Sequence, residues 1–547
     1  MTKYVFIIGG VVSSLGKGIA SASTGALLKA RGYSVRMRKM DPYLNVDPGM
    51  MSPYQHGEVF VTEDGAETDM DLGHYERFAG VNCHKTDSIS GGRIYYNVIQ
   101  KERRGNYLGA TVQAIPHVTN EIKDFMKSDL HGEDFVLYEV GGTVGDMEGL
   151  LFLEAMRQFA NEVGRENVCV LFLTLLPYID TAGELKTKPT QHAVKTLMEA
   201  GIKADILLCR SKVALGTDER RKLALFCNVA PDDVIMALDV DNIYKVPLSY
   251  HEQGLDVQVL KHFGMLENAP EPDLKGWESI VHTCQHYEKE VKIVVVGKYC
   301  GLLEAYKSLH EALIHGAIGN NAKVRITWME AEELEDLTQD QVAEALKPYA
   351  GIVIPGGFGV RGINGKIKAI RYARENKVPF FGLGLGMQLA VVEACRSLLG
   401  IEDAHSSEFG GNCTPVISKM TIYEENGEKK IKPENLEMTV SERLGASATY
   451  LKQDSLASKI YGTTKEIYER HRHFYEMDIA YEKPLKEKGF VVSGKSQDGL
   501  LPDIIEIPNH PFFIGVQFQP EFTSRPWKPN PIFKAFIEAA LKHGYLV

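Results

Sequence analysis

Residues 4–19, YVFIIGGVVSSLGKGI, contain the pattern that decides the fold. The apolar run Tyr4–Ile8 predicts a buried strand, and the glycine-rich turn after it leads into a helix. Such a turn points main-chain N–H groups at phosphates, and Lys17 would reach the β- and γ-phosphates of a nucleotide. The motif departs from a regular P-loop, because five residues separate Gly10 from Gly16 and Gly18 replaces the usual Ser or Thr. A glycine-rich turn without a ligand is the simpler alternative.

On both sides of this motif and through most of the chain, apolar runs alternate with helical stretches. This alternation predicts an α/β fold with two domains, each built on a largely parallel sheet covered on both faces. A polar, proline-bearing stretch at 269–280 predicts a boundary, which gives a domain at 1–266, a linker at 267–290 and a second domain at 291–547. The predicted strands are 135–140, 168–174 and 205–209, then 291–296, 324–328, 351–355 and 380–383, followed by a more β-rich part at 439–442, 490–493, 504–507 and 514–518.

Composition narrows the class of protein. Across 547 residues, 44% are hydrophobic and 24% charged, which is typical of a globular protein. No apolar run approaches the roughly 20 residues of a membrane span. A net charge of −11 disfavours a nucleic-acid surface, although a locally basic site can still bind polyanions. The eight cysteines are scattered without a CxxC pair, so reduced thiols in a cytoplasmic protein are the simplest interpretation.

Carboxylates and lysines after the glycine-rich turn predict a phosphate-transfer site. Lys39 follows the predicted second strand, and residues 63–78 (EDGAETDMDLGHYERF) supply a cluster of acidic side chains. Asp71 could bind Mg²⁺, and Glu139 lies near the end of a buried strand, where a magnesium ligand is expected. Lys186 and Lys188 could converge on a second triphosphate, and Pro189 prevents one helix from running through both. A solvated acidic loop and two surface lysines are the alternatives.

Several longer motifs resemble the CTP synthase family of bacteria along essentially the whole chain. The motifs that carry the resemblance are GGVVSSLGKGI, DPYLNVDPGMMSPYQHGEVFV, EDGAETDMDLGHYERF, KERRGNYLGATVQAIPH, EVGGTVGDME, KTKPTQH, KYCGLLEAYKSL, PGGFGVRGINGK, ERHRHFYE and PEFTSRP. The resemblance implies a synthetase domain of the dethiobiotin-synthetase type joined to a class I glutamine amidotransferase domain. It also implies that MgATP phosphorylates O4 of UTP and that ammonia then displaces the phosphate.

The family's site residues carry over to this chain by motif. Lys17 and Lys39 would be catalytic, with Lys39 stabilising the transferred phosphoryl group. ATP would contact Ser13, Leu15, Gly16, Lys17, Gly18, Asp71, Arg210, Asp239 and Val240, and Mg²⁺ would be held by Asp71 and Glu139. UTP would contact Ser13, Lys186, Lys188, Gln191 and Lys222, and the feedback inhibitor CTP would contact Asp146, Met147 and Glu148. The loop Arg103–His117 resembles a lid over the ammonia route, and the family's usual assembly is a homotetramer.

The second half breaks the family's pattern at two positions. The nucleophile belongs in G-x-C-x-G-x-Q, but residues 381–388 read FGLGLGMQ, which places Gly384 at the cysteine position. The general base belongs in an H-P-E tripeptide, but residues 518–522 read FQPEF, which places Gln519 at the histidine position and leaves only Glu521 of the triad. A glycine cannot form a thioester and a neutral amide cannot accept a proton near pH 7. No replacement dyad is evident, and Cys395 is expected to be a core or surface thiol.

The resemblance also implies that the glutamine-binding pocket is retained although its catalytic residues are lost. Gly356 and Gly357 could supply oxyanion-hole N–H groups, and glutamine would contact Gly357, Gln388, Glu408 and Arg472. The sequence predicts CTP synthesis from UTP, ATP and free ammonia, without glutaminase activity. It predicts no nucleic acid and no membrane as binding partners. Whether GTP still acts stays open, because its family role is to activate the glutaminase step. Two alternatives stay open: a nucleotide-binding scaffold or filament subunit, and a related amidoligase acting on a corrin or a diamino acid.

Overall fold

The computed structural model describes residues 1–12, 15–181, 183–419, 422–425, 428–431 and 443–544. The chain divides into two compact units. The first comprises Met1–Gly49 and Glu67–His282, and the second comprises Met50–Ala66 and Thr283–Val547. The predicted strand at 439–442 and Ser13 of the phosphate loop lie outside the described residues. Within those residues, no helix is long and apolar enough to cross a membrane.

The first unit is built on a parallel sheet. Its main strands are β1 (Lys3–Gly9), β2 (Val35–Asp41), β3 (Ser88–Ser90), β4 (Phe135–Val140), β5 (Val168–Leu175), β6 (Ile206–Ser211) and β7 (Val234–Leu238). They lie in the order β7-β6-β5-β1-β4-β2-β3, and every neighbouring pair runs parallel. Nearly every residue of these strands is buried, because helices cover both faces of the sheet. The strands predicted at 4–8, 135–140, 168–174 and 205–209 are therefore confirmed.

Helices connect most of these strands, and three more follow the last strand. They are α1 (Lys17–Ala30), α2 (Asp71–Ala79), α3 (Gly91–Arg103), α4 (Thr119–Lys127), α5 (Leu150–Val163), α6 (Lys188–Glu199), α7 (Thr217–Cys227), α8 (Val246–Glu252), α9 (Leu255–His262) and α10 (Lys275–Gln285). The last of these lies inside the predicted linker, where Trp277 is buried and its ring centroid lies 5.3 Å from that of Phe78. The proline and polar residues at the start of the stretch hid this anchored helix from sequence analysis.

The second unit is built on a mixed sheet. Its strands are β8 (Lys289–Gly297), β9 (Ala322–Glu330), β10 (Gly351–Ile354), β11 (Phe380–Leu383), β12 (Ala404–Ser406), β13 (Thr414–Lys419), β14 (Ile422–Glu425), β15 (Glu428–Ile431), β16 (Arg443–Leu451), β17 (Glu466–His473), β18 (Tyr475–Met477), β19 (Val491–Lys495), β20 (Pro502–Glu506) and β21 (Phe513–Val516). The large sheet has the order β9-β8-β10-β11-β21-β20-β19-β16-β17. Its strands are parallel from β9 to β21 and antiparallel beyond. This matches the prediction of parallel strands followed by a more β-rich part.

Seven helices of six or more residues accompany this sheet in the described residues. They are α11 (Lys307–Ile318), α12 (Gln339–Leu346), α13 (Ile363–Asn376), α14 (Leu385–Leu399), α15 (Leu456–Tyr461), α16 (Glu482–Glu487) and α17 (Pro531–Gly544). Buried aliphatic and aromatic side chains form a core on each face of the sheet.

The segment Met50–Ala66 belongs to the second unit although it precedes most of the first in sequence. The carboxylate of Glu58 accepts the main-chain N–H of Ser308 at 2.8 Å, close to the start of α11. The Arg470 guanidinium donates to the carbonyl of Val61 at 2.9 Å. The acidic cluster expected at 63–78 is consequently divided, because Glu63 and Asp64 lie in one unit and the remaining carboxylates in the other.

Candidate active sites

The glycine-rich turn of the first unit joins β1 to α1. Gly16 precedes the helix with a positive φ of 93°, a conformation that favours glycine. Lys17 opens the helix, and its ammonium donates to the carbonyl of Gly142 at 2.7 Å. A Cβ on Gly9 would stand 3.0 Å from Cδ of Lys17, so the side chain folds back over the turn. The turn therefore presents a helix N-terminus and a lysine together, as phosphate binding requires.

Lys39 lies at the centre of a buried group of carboxylates. Its ammonium pairs with Asp71 and lies 3.2 Å from Glu139 and 3.5 Å from Asp41. Glu139 also accepts a hydrogen bond from the Tyr75 hydroxyl. Three strand or helix ends supply these groups, since Lys39 and Asp41 end β2, Glu139 lies near the end of β4 and Asp71 begins α2. The structure thus brings together Lys39, Asp71 and Glu139, which the sequence had singled out separately.

Each ionisable group at this centre shifts the pKa of its neighbours. Burial alone would lower the pKa of Lys39, but the surrounding carboxylates raise it well above its ordinary value. Burial raises the pKa of Glu139, and the Asp71 carboxylate adds to this effect while Lys39 opposes it. Burial would also raise the pKa of Asp71, but the adjacent Lys39 ammonium holds it well below its usual range. One further positive ion beside the carboxylates would therefore stabilise all of their charged forms.

Gly18 explains how this site replaces a regular P-loop. In a P-loop the residue after the lysine is Ser or Thr, whose hydroxyl binds Mg²⁺. Here a Cβ on Gly18 would stand 1.9 Å from Oδ1 of Asp71. The Asp71 carboxylate therefore occupies the space that a side chain at position 18 would need. A carboxylate oxygen from α2 thus lies close to the place of the missing hydroxyl.

The donor set fits a magnesium ion. Asp41, Asp71 and Glu139 are oxygen ligands of the kind that Mg²⁺ prefers. Oδ2 of Asp41 is buried and has no hydrogen-bond partner among the described residues. Asp41 was not predicted as a site residue, because DPYLNVDPG is typical of a turn. Its spacing from Lys39 could have identified it, since residues two apart on a strand share a face.

Other residues of the predicted nucleotide sites lie around this centre with varied contacts. Arg210 donates to the carbonyl of Leu15 at 2.8 Å and lies 3.2 Å from Asp239, so three of the residues predicted to contact ATP meet. Lys188 begins α6 and Pro189 follows it, as the sequence predicted, whereas Lys186 is exposed and pairs with Glu184. The residues Lys222, Asp146, Met147 and Glu148 are exposed, and Val240 is half-buried. The Gln191 amide donates to the Thr187 hydroxyl at 3.1 Å.

Gly384 lies at the turn between β11 and α14 in the second unit. Its φ of 48° and ψ of −107° are strained for any residue with a side chain. A Cβ there would meet Nε2 of Gln519 at 3.6 Å and the carbonyl of Gln517 at 3.8 Å, which are ordinary contacts. The Gln519 amide is held weakly by the carbonyl of Arg472 at 3.4 Å. The structure therefore places positions 384 and 519 side by side, with room for a side chain at position 384.

Glu521 follows Gln519 by two residues in the chain and is 9% exposed. Burial raises its pKa to about 8, and the nearby Glu58 and Glu469 carboxylates add to the effect. Its Oε2 has no hydrogen-bond partner among the described residues. A carboxylate that orients a histidine would have a ring N–H to accept, whereas here it has none.

The predicted glutamine-binding residues surround the same turn. Glu408 accepts the N–H of Gly359 at 2.7 Å, beside the PGGFG loop that contains Gly357. The Gln388 side chain donates to the carbonyl of Tyr475 at 2.9 Å. The Arg472 guanidinium lies 5.5 Å from the ring centre of Phe358. Cys395 is buried in the core, as expected of a core thiol, and burial raises its pKa to about 12.

Comparisons with known proteins show which families the two halves of the chain resemble. A family model described as CTP synthase N-terminus matches residues 3–265, and one described as glutamine amidotransferase class-I matches residues 301–539. CTP synthases of Paramagnetospirillum magneticum and Novosphingobium aromaticivorans are each 57% identical to the chain, over 547 and 549 residues, with 100% of both chains covered. A solved glutaminase domain of Trypanosoma brucei CTPS with bound acivicin is 36% identical over 46% of this chain and 94% of that one, with a TM-score of 0.41.

The chain is therefore a two-domain α/β protein with an N-terminal synthetase domain and a class I glutamine amidotransferase domain. The chain belongs to the CTP synthase family. Members of this family are ligases, and membership supports the ATP-dependent amination of UTP to CTP as the reaction of this chain.

Proposed function

We propose that this chain makes CTP from UTP and MgATP with free ammonia as the nitrogen donor. The observation that carries the proposal is the contrast between the two units. The first unit gathers Lys17, Lys39, Asp71 and Glu139 around a phosphate-binding turn. The second unit has glycine and glutamine where its family has the nucleophile and the base.

In the proposed first step, uracil O4 of UTP attacks the γ-phosphate of ATP, the bond to the β-phosphate oxygen breaks so that ADP leaves, and the uracil loses its N3 proton. Lys17 and the N–H groups of the turn hold the β- and γ-phosphates, and Lys39 stabilises the charge of the phosphoryl group in transfer. Asp71 and Glu139 would hold Mg²⁺, which neutralises phosphate charge when it is bound. Phosphorylation turns a poor leaving oxygen into a good one. Ammonia then adds at C4 and loses a proton, and inorganic phosphate leaves.

The proposed site contacts follow the family motifs. ATP contacts the turn together with Arg210 and Asp239, whose meeting with Leu15 supports this assignment. UTP contacts Lys186, Lys188, Gln191 and Lys222, while Asp146, Met147 and Glu148 bind CTP as a feedback inhibitor. We further propose a cytoplasmic homotetramer. Ser13 is part of both nucleotide sites in the proposal, although it lies outside the described residues.

The amidotransferase domain is proposed to bind glutamine without hydrolysing it. Thioester formation needs a thiolate at position 384, and Gly384 offers none. Proton transfer needs a base at position 519, and the Gln519 amide has no basic lone pair near neutral pH. Gly357, Gln388, Glu408 and Arg472 would still contact the ligand. A triad member that remains alone, Glu521, has no catalytic role in this proposal.

The experiment that tests the proposal follows CTP formation from UTP and MgATP with ammonium chloride as the sole nitrogen source. Formation of CTP supports the synthetase assignment. A protein that binds nucleotides but forms no CTP would instead be a scaffold.

A further inference from the structure

Three potential metal ligands meet near the amino ends of the strands in the first unit's sheet. The glycine-rich turn lies at the opposite, carboxyl ends of the strands. Cys169 is the second residue of β5, Asp205 immediately precedes β6, and His262 ends α9. One ligand atom from each of them lies within 4.8 Å of those of the other two. All strands of this sheet run parallel, and the nucleotide-site residues lie at their carboxyl ends. The three residues lie near the amino ends, so they are separate from the nucleotide site.

The main chain of β5 orients both outer ligands. The Nε2 atom of His262 lies 2.9 Å from the carbonyl oxygen of Val168. With that ring nitrogen donating, Nδ1 is left as a lone-pair donor with a fixed tautomer. On the other side of Cys169, Oδ2 of Asp205 accepts the N–H of Val170 at 2.9 Å. Metal-binding histidines and carboxylates are usually held by such outer hydrogen bonds.

The chemistry of the three groups selects a class of metal. A thiolate, an imidazole and a carboxylate together suit Zn²⁺ and its thiophilic relatives better than Mg²⁺ or Ca²⁺. Bond lengths of about 2.0–2.3 Å place tetrahedral zinc ligands roughly 3.5 Å apart, so closure requires side-chain shifts of about 1 Å. His262 is exposed, so a small shift of its ring meets solvent and not packed side chains.

The charges around the cysteine favour a cation. Cys169 is fully buried, and the Asp205 and Asp233 carboxylates act on it electrostatically. A bound metal ion would stabilise the thiolate. A positive charge already present is the half-exposed Arg165, whose guanidinium lies 3.7 Å from Asp205. It can turn towards solvent when a metal ion neutralises that carboxylate.

We propose that Cys169, Asp205 and His262 form a binding site for one Zn²⁺ ion that joins the starts of β5 and β6 to the end of α9. Binding exchanges the thiol proton for the metal, so that one proton is released as the sulfur–zinc bond forms. The imidazole and the carboxylate bind as neutral and anionic donors without losing a proton. The site does not depend on the proposed ammonia reaction.

The test titrates the metal-free full-length protein with Co²⁺, a spectroscopic substitute for zinc, in the presence of saturating MgATP. The wild type is expected to bind one Co²⁺ per chain and to show a thiolate-to-cobalt absorption band. Zn²⁺ is then expected to displace the Co²⁺. Cys169→Ser is expected to lose the band. His262→Ala is expected to bind at least about tenfold more weakly, the loss that even an outer-ligand change can cause.

Matched controls separate this site from adventitious binding. Cys284→Ser and His131→Ala change a half-buried thiol and an exposed imidazole outside the cluster, and both should titrate like the wild type. Because His262 is exposed, its alanine variant should fold even if the buried cysteine variant does not. No band in the wild type, a band retained in Cys169→Ser, or unchanged affinity in His262→Ala would each overturn the proposal.

Discussion

Oδ1 of Asp71 lies 1.9 Å from the point where a Cβ on Gly18 would stand. The two residues are therefore matched: the glycine leaves space that the carboxylate fills beside Lys17 and Lys39. The relationship accounts for the departure from a regular P-loop and gives a direct test of the phosphate-transfer site.

Gly18→Ser restores the usual P-loop residue and should nevertheless impair the enzyme. The new side chain must displace Asp71, and a misplacement of about 1 Å at an active site can cost roughly 10²-fold in rate. We expect kcat/KM for MgATP to fall by about that factor in an assay with ammonium, while the circular dichroism spectrum is retained. Gly276→Ala is the control, since nothing lies within 4 Å of its Cβ position. Full activity in Gly18→Ser would refute the matching of Gly18 to Asp71.

Lys39→Ala should abolish turnover and lower stability. The substitution removes the group proposed to stabilise the transferred phosphoryl, which should cost about 10²–10³-fold or more in kcat. It also leaves Asp71, Glu139 and Asp41 without their buried cation, a loss of roughly 3–5 kcal/mol that added Mg²⁺ should partly offset. CTP formation and Tm with and without Mg²⁺ measure the two effects. Lys29→Ala, at an exposed lysine of α1, is expected to behave like the wild type. Undiminished turnover in Lys39→Ala would remove the lysine from the mechanism.

The double variant Gly384→Cys/Gln519→His should acquire glutaminase activity that neither single variant has. A side chain at position 384 meets only ordinary contacts, the nearest at 3.6 Å, and it faces position 519. A thiol without a base, or a base without a thiol, is expected to give little glutaminase activity, because triad members act as a unit. Glutamate release measures the gain. The strained backbone should lower the stability of both cysteine variants by about 1–3 kcal/mol.

The outcome of that series bears on the second domain. Glutamate release by the unmodified chain would mean that another nucleophile exists there. Release by the double variant alone would show that the glutamine pocket is intact and lacks only its reacting groups.

Glu521 should make stability fall as pH rises. Its pKa in the folded protein is raised to about 8, so the folded state binds the proton more tightly than the unfolded state. The stability gained from that proton is complete below the unfolded pKa of about 4.3 and is lost as pH rises towards 8, by up to about 1.4 kcal/mol per pH unit. Glu521→Gln should therefore raise Tm relative to the wild type at pH 8 and much less at pH 5. Glu487→Gln, at an exposed glutamate, should show no such dependence. Equal effects at both pH values would contradict the account.

The fold could be predicted from sequence where one physical signal dominates. Buried parallel strands are nearly continuous apolar runs, so Phe135–Val140 and Phe380–Leu383 were predicted to the residue. The helix that contains Trp277 could not be predicted, because a polar, proline-bearing stretch gave no sign that an aromatic contact with Phe78 anchors it. The place of the segment Met50–Ala66 in the second unit could not be predicted either, since it depends on tertiary partners such as Ser308 and Arg470.

The sites were predictable to the extent that motifs name their residues. Lys39, Asp71 and Glu139 were identified singly, but their meeting at one buried centre comes from the order of strands in the sheet. Asp41 escaped because its turn-like context concealed a side chain that shares a face with Lys39. The cluster of Cys169, Asp205 and His262 has no sequence spacing typical of metal sites, and only the fold brings it together.

The proposed nitrogen source can be measured by following CTP formation from UTP and MgATP with ammonium chloride or with glutamine, each with and without GTP. We expect CTP with ammonium and none with glutamine, whether or not GTP is present. CTP formed from glutamine as sole nitrogen donor would refute the proposed use of free ammonia, because Gly384 and Gln519 could not then be the residues that decide the nitrogen source.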